Sequence, residues 1–207
     1  GKAAWQMAHA ARACLQDNFC GGVVVTKYGH VKGEIADVAC FEGGHPVPDE
    51  NSLRGTDAAL ALTEDLTESD TVVFLLSGGG SALFEKPLLP LAELQDVTNQ
   101  LLAAGADIVE INTIRKRLSA VKGGRFARHC APAQVFAVVL SDILGDPLDM
   151  IASGPAYPDS ASCAQALDIA KRYGLRLSER AWALLAQETP KTLENVETQI
   201  TGSVREL

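Results

Sequence analysis

Apolar residues recur along this chain in two rhythms, and the rhythms alternate. Runs at residues 23–26, 71–76 and 134–140, apolar apart from Thr26, Thr71 and Gln134, read as strands buried on both faces. A weaker extended stretch spans 35–41. Between them, apolar residues return every third or fourth position. Ala4, Ala8, Ala11 and Leu15 share one face of an alanine-rich helix, and Ala58, Leu62 and Leu66 mark another. Leu91, Leu94, Val97 and Leu101 form a helix stopped by Gly105; Ile108, Ile111, Ile114, Leu118 and Val121 form the next. Two shorter helices, near 164–173 and 178–187, precede a polar tail. Apolar strands separated by amphipathic helices predict an α/β fold whose mostly parallel sheet is covered on both faces.

Composition narrows the class without changing the fold. The chain has 207 residues, 47% of them hydrophobic, which is too apolar for a disordered protein. Its apolar runs are too short to cross a bilayer. The net charge of −8 argues against a general nucleic-acid or anionic-membrane binder. Five cysteines at wide spacing, with no C-x-x-C pair, are neither a disulfide framework nor a zinc site. They read as reduced, mostly buried thiols of a cytoplasmic protein.

In open α/β sheets, ligands bind beyond the carboxyl ends of the strands. The segments following each strand are Lys27-Tyr28-Gly29-His30, Glu42-Gly43-Gly44-His45-Pro46-Val47-Pro48-Asp49, Ser77-Gly78-Gly79-Gly80-Ser81 and Ser141-Asp142-Ile143-Leu144-Gly145-Asp146-Pro147. Each combines glycine with polar or charged residues, so one rim of the sheet carries the chemistry. The triple glycine lets backbone N–H groups turn toward an anion. It is not a dinucleotide fingerprint, because Leu83 stands where G-x-G-x-x-G needs its third glycine, and no P-loop occurs. The alternative is a tight strand-to-helix turn without a ligand.

Charge is unevenly distributed. Arg115, Lys116, Arg117, Lys122, Arg125 and Arg128 fall in one window free of Asp and Glu, so the remainder carries −14 against the overall −8. A phosphate or carboxylate ligand would account for this excess; a solvated helix face is the alternative. Asp142, at the end of an apolar strand, is a candidate Mg²⁺ ligand, whereas Asp146 suits ordinary turn chemistry. Lys2 heads the first helix, where a βα unit would place a strand just before Gly1. A lysine there could neutralise a phosphoryl group in transit or bind an acidic substrate. His45 reads equally well as a ligand-facing or a satisfied loop histidine.

Six blocks in fixed order carry a resemblance. They are Gly1-Lys2-Ala3-Ala4; Val25 to His30; Gly43 to Asp49; Leu76 to Ala82; Asn112 to Ser119; and Leu140 to Pro147, continuing through Ala152-Ser153-Gly154-Pro155. Together they resemble the class II glycerate kinases, the MOFRL-type glycerate 2-kinases, some of which carry the label hydroxypyruvate reductase. The resemblance implies a Rossmann-like three-layer sandwich, incomplete at both ends. It places a motif-bearing core at 1–160 and a helical extension at 161–207. The strand before Gly1 and the family's C-terminal domain, with its basic residue facing the lysine, fall outside this stretch. It further implies ATP- and Mg²⁺-dependent phosphorylation of D-glycerate to 2-phosphoglycerate, with little turnover by this chain alone.

By that resemblance Lys2 is the functional lysine of the Gly-Lys-Ala block. Onto the matching segments we place phosphate or nucleotide binding at Ser77, Gly78, Gly79, Gly80 and Ser81. Substrate or anion binding falls to His45, Arg115, Lys116 and Lys122, and Mg²⁺ to Asp142. Two other readings remain at this point: an NAD(P)H-dependent hydroxypyruvate reductase, and a non-catalytic anion-binding or assembly module.

Overall fold

The computed structural model describes residues 1–140 and 148–202, with side chains through 198. Its strands are β1 (Gly22–Lys27), β2 (Val38–Gly43), β3 (Thr71–Ser77), β4 (Gln134–Leu140) and β5 (Val196–Gly202). Its α-helices are α1 (Ala4–Leu15), α2 (Glu50–Leu62), α3 (Gly80–Leu83), α4 (Leu91–Ala103), α5 (Ile108–Arg117), α6 (Arg125–Cys130), α7 (Cys163–Arg172) and α8 (Glu179–Leu185). The expected α/β class is observed, and every strand pairing is parallel. The strands form two sheets rather than one: β1 pairs with β2, and β4 lies between β3 and β5.

Local chemistry explains most boundaries. Asp49 caps α2: its Oδ1 accepts from the Ser52 N–H at 2.9 Å. Asp107 and Glu110 close a reciprocal capping box at the head of α5, with both bonds at 2.9 Å. Gly105, at φ +77°, ends α4 in a Schellman turn, with the Ala106 N–H bonded to the Leu101 carbonyl at 3.0 Å.

Some expectations need correction. Strand β2 begins at Val38 rather than Ile35, because Asp37, at φ +63°, turns the chain and leaves only an isolated bridge between Ile35 and Val38. Helix α5 stops at Arg117 although its apolar spacing runs on to Val121; Leu118 and Val121 are buried from the turn that follows. Helix α2 buries Ser52, Gly55 and Thr56, while Leu62 stays exposed. Gly55 lies so close to the sheet that a Cβ there would stand 2.7 Å from Val25 Cγ2, so small residues make this contact. The polar tail contains β5, and α6 occupies part of the basic window. Of the cysteines, all unpaired, only Cys130 is buried, while Cys14 and Cys20 are exposed.

Two apolar clusters hold the elements together. One joins β3 and β4 to Phe84, Phe126, Ile151 and Tyr157, with the rings of Phe74, Phe84 and Phe126 mutually 4.9 to 5.6 Å apart. The other joins α4, α5, α7 and α8 through Leu94, Leu101, Ile114, Leu118, Ala166 and Leu185. The helices beyond residue 160 therefore pack back onto α4 and α5. Among the described residues, no helix is long and apolar enough to cross a membrane.

Candidate functional site

Gly1 and Lys2 sit between the carboxyl ends of β1 and β3. The Gly1 nitrogen donates to the Val25 carbonyl at 2.9 Å, and the Lys2 N–H donates to the Gly78 carbonyl at 2.8 Å. The Ala3 N–H donates to Ser77 Oγ at 3.1 Å. A Cβ on Gly1 would lie 2.3 Å from Ser77 Oγ, so only glycine permits this approach. The Lys2 carbonyl accepts from His30 Nδ1 at 3.0 Å, which requires the proton on that nitrogen. These main-chain bonds fix the lysine backbone and leave its side chain exposed.

Gly79 is the point of convergence. Its φ of +84° is left-handed, and a Cβ there would stand 3.0 Å from the His45 ring and 3.2 Å from Lys2 Cε. Thus Lys2 and His45, from loops 43 residues apart in sequence, meet over the triple-glycine turn. The flanking loops are tied together as well. Tyr28 donates its hydroxyl to Asp49 Oδ2 at 2.7 Å, and Glu42 Oε1 accepts from the His30 and Val31 N–H groups at 2.8 Å. Burial pushes the Asp49 carboxyl up in pKa, but bonds from the Ser52 and Gly44 backbones, the Tyr28 hydroxyl and the Ser52 side chain outweigh it, holding the pKa at about 2.

The basic segment is not a solvated face. Lys116, Arg117 and Lys122 are among the most buried large side chains of the described residues. Lys116 pairs with Asp159 at 3.0 Å and Asp149 at 3.3 Å; Arg117 reaches Asp159 and Glu188, each at 3.4 Å. Lys122 donates to the carbonyls of Ser81 and Phe84, each at 2.9 Å, and lies 3.5 Å from Glu85. Burial lowers the Lys122 pKa to about 8, against the opposing pull of Glu85. Arg115 donates to the same Ser81 carbonyl at 3.0 Å. Direct contact of Lys116 or Lys122 with an anion is not what this arrangement offers. Arg115 and Lys122 instead hold the glycine loop from beneath.

Ser153, to which sequence reasoning gave no role, also touches the loop, and Asn112, likewise without a role, stands behind it. Ser81 Oγ and Ser153 Oγ are 3.1 Å apart, and Ser153 donates to Asn112 Oδ1 at 2.9 Å. Ala152, Ser153 and Gly154 are all left-handed, at φ +52°, +62° and +62°, and a Cβ on Gly80 would lie 2.6 Å from the Ala152 methyl. The Ala-Ser-Gly-Pro sequence was the available signal, though nothing in it specified the partner. Asp142, the candidate metal ligand, lies outside the described residues. Among the described residues no group of three or more His, Cys, Asp or Glu side chains could hold a metal ion.

Parallel strands with a glycine turn, a lysine and a histidine at their carboxyl ends define an α/β domain with these polar groups gathered on one rim. The family described as a domain of unknown function, DUF4147, matches residues 1–186, and this chain belongs to it. It is 55% identical over 209 residues to D-glycerate 2-kinase of Thermotoga maritima, covering all of this chain and 50% of that protein. It is 42% identical over 209 residues to a putative hydroxypyruvate reductase of Agrobacterium vitis, covering 99% of this chain and 46% of that one. The crystal structure of Thermotoga maritima glycerate kinase superposes with a TM-score of 0.97 at 55% identity, over the whole of this chain and 50% of that one. This chain thus spans about half the length of these relatives.

Proposed function

We propose that this domain forms the phosphate-handling wall of a glycerate kinase that phosphorylates D-glycerate at its C2 hydroxyl with ATP, yielding 2-phosphoglycerate. The observation that carries the reading is the meeting of Lys2 and His45 over Gly79 at the carboxyl ends of β1 and β3. In the transfer, the C2 oxygen bonds to the γ-phosphorus, the bond from that phosphorus to the ADP oxygen breaks, and the hydroxyl proton is released. Charge spreads over the phosphoryl oxygens as this happens. An ammonium with a fixed backbone, such as that of Lys2, stabilises that charge without reorganising. Ser77, Gly78, Gly79, Gly80 and Ser81 would meet phosphate mainly through backbone N–H groups, and His45 would face the substrate side. Mg²⁺ would screen the nucleotide phosphates, with Asp142, which follows an apolar strand in the sequence, as its protein ligand in this reading.

The partners of this reading are ATP and D-glycerate, with no nucleic acid, and its location is the cytoplasm, in keeping with unpaired thiols. The reductase label on some relatives supports a second reading, but the site favours it less. Helix α3 spans only Gly80–Leu83, too short to present the long helix on which a dinucleotide fingerprint seats its pyrophosphate. The deciding assay uses a full-length protein carrying this domain. Glycerate-dependent ADP formation, with a 2-phosphoglycerate resonance in phosphorus NMR, is the expected result. Hydroxypyruvate-dependent NADH oxidation without ADP formation would replace the kinase reading.

A further inference from the structure

We infer that Asn112 and Ser153 are positioning residues for the glycine loop, acting through the Ser81 hydroxyl. This rests on the phosphate-binding part of the function proposed above. The direction of each hydrogen bond follows from chemistry. Asn112 Nδ2 faces the Met150 thioether at 3.9 Å, and a thioether sulfur accepts but cannot donate. The amide nitrogen therefore belongs on the Met150 side, and Oδ1 faces Ser153. Ser153 has one hydroxyl proton, and it goes to Asn112 Oδ1 at 2.9 Å. The 3.1 Å contact between Ser81 and Ser153 must then be Ser81 donating.

Two consequences follow. The Ser81 hydroxyl points its proton inward, so it does not donate to a bound phosphate; the loop presents its backbone instead. Ser81 is also held twice, by its hydroxyl through Ser153 and by its carbonyl through Arg115 and Lys122. Asn112 and Ser153 are themselves out of solvent, at 3% and 0% exposed, so neither can exchange its partner for water. The left-handed run of Ala152, Ser153 and Gly154 is a conformation that side chains resist, and here it brings Ser153 to Ser81 and the Ala152 methyl against Gly80.

The test measures binding of inorganic tripolyphosphate and of ATP by calorimetry, with steady-state constants, in a full-length protein carrying this domain. Asn112→Leu and Ser153→Ala should each weaken both ligands by roughly three- to tenfold, the worth of one buried hydrogen bond. The KM for ATP should rise in step, while the KM for glycerate stays within about twofold. Ser81→Ala should have the same effect, and adding Asn112→Leu to Ser81→Ala should weaken binding no further. Additive losses, or a fall in folded fraction with unchanged constants for the folded molecules, would overturn the inference. So would a wild-type protein that fails to bind tripolyphosphate. If the wild type binds tripolyphosphate but turns over no glycerate, the kinase reading fails, and the same cycle still decides the positioning role.

Discussion

Lys116 Nζ stands 3.0 Å from Asp159 Oδ1, and each residue is only 2% exposed. The other Asp159 oxygen accepts from Thr189 at 2.7 Å and lies 3.4 Å from Arg117. One carboxylate thus balances two buried cations, joining α5 to the segments on either side of α7 and α8. Removing it takes away the buried partner of both cations and leaves them only the more exposed Asp149 and Glu188. Asp159→Asn should lower stability by about 3–5 kcal/mol, read as a reduced urea midpoint. The exposed pair Arg172–Asp168, at 3.8 Å, is the control: Asp168→Ala should stay within about 0.5 kcal/mol of wild type.

Asp49 ties stability to acid. Its pKa is about 2 in the folded chain against 3.8 for the free group. A depressed carboxylate stabilises the fold fully above its unfolded value and loses that effect as pH falls through the folded one. The advantage of wild type over Asp49→Asn should therefore be constant near neutrality and shrink between pH 3.8 and about 2. Asp49→Ala should remove the α2 cap as well, lowering stability by about 1 kcal/mol at neutral pH. Denaturation series at several pH values check both.

The glycine turn separates stability from binding. Gly79→Ala strains a backbone at φ +84° by about 1–2 kcal/mol and places a methyl 3.0 Å from the His45 ring. Gly80→Ala instead meets the Ala152 methyl at 2.6 Å inside the core, with an overpacking cost of about 1–3 kcal/mol. Both variants should melt earlier. The folded Gly79→Ala protein should also lose most tripolyphosphate binding, because its new methyl occupies the point where Lys2 and His45 converge.

How far the sequence foretold this site depends on which interaction built each part. Strand-end logic located Lys2, His45 and the triple glycine, because parallel strands deliver their loops to one rim whatever the details. The run at 134–140 was legible for a related reason: β4 is covered by β3 and β5 on its two edges and is apolar from Val135 to Leu140. Among the described residues, strand β5 pairs only with β4, and it alternates Val196-Glu197-Thr198, which reads as a polar tail. The partners of the basic window were not legible, because a charge count does not show them. Glu85, Asp159 and Glu188 lie about 30 to 70 residues from the cations they balance. Asn112 and Ser153 were silent for the same reason: a buried polar residue is explained only by what it touches.

Turnover should need more than this chain. Phosphoryl transfer depends on charge stabilisation from all sides of the reacting group, and the rim described here is one wall. The 207-residue polypeptide should therefore bind tripolyphosphate yet form ADP from ATP and glycerate at least about a hundredfold more slowly than a full-length protein carrying it. A coupled ADP assay on both proteins, at matched concentrations of folded domain, makes the comparison.

Lys2 offers the sharpest catalytic test, because its backbone and side chain have separate duties. Its N–H and carbonyl hold Gly78 and His30, and any residue but proline at position 2 keeps those bonds. Lys2→Met should therefore leave the melting temperature nearly unchanged while removing the ammonium beside Gly79. If that charge acts mainly in the transition state, kcat should fall by about 10²–10³ with the KM for ATP altered far less. Lys2→Arg keeps the charge but replaces a compact ammonium with a planar fork, and should recover only part of the rate. Equal losses in Lys2→Met and Lys2→Arg would point to shape rather than charge. An unchanged kcat in both would remove Lys2 from the chemistry.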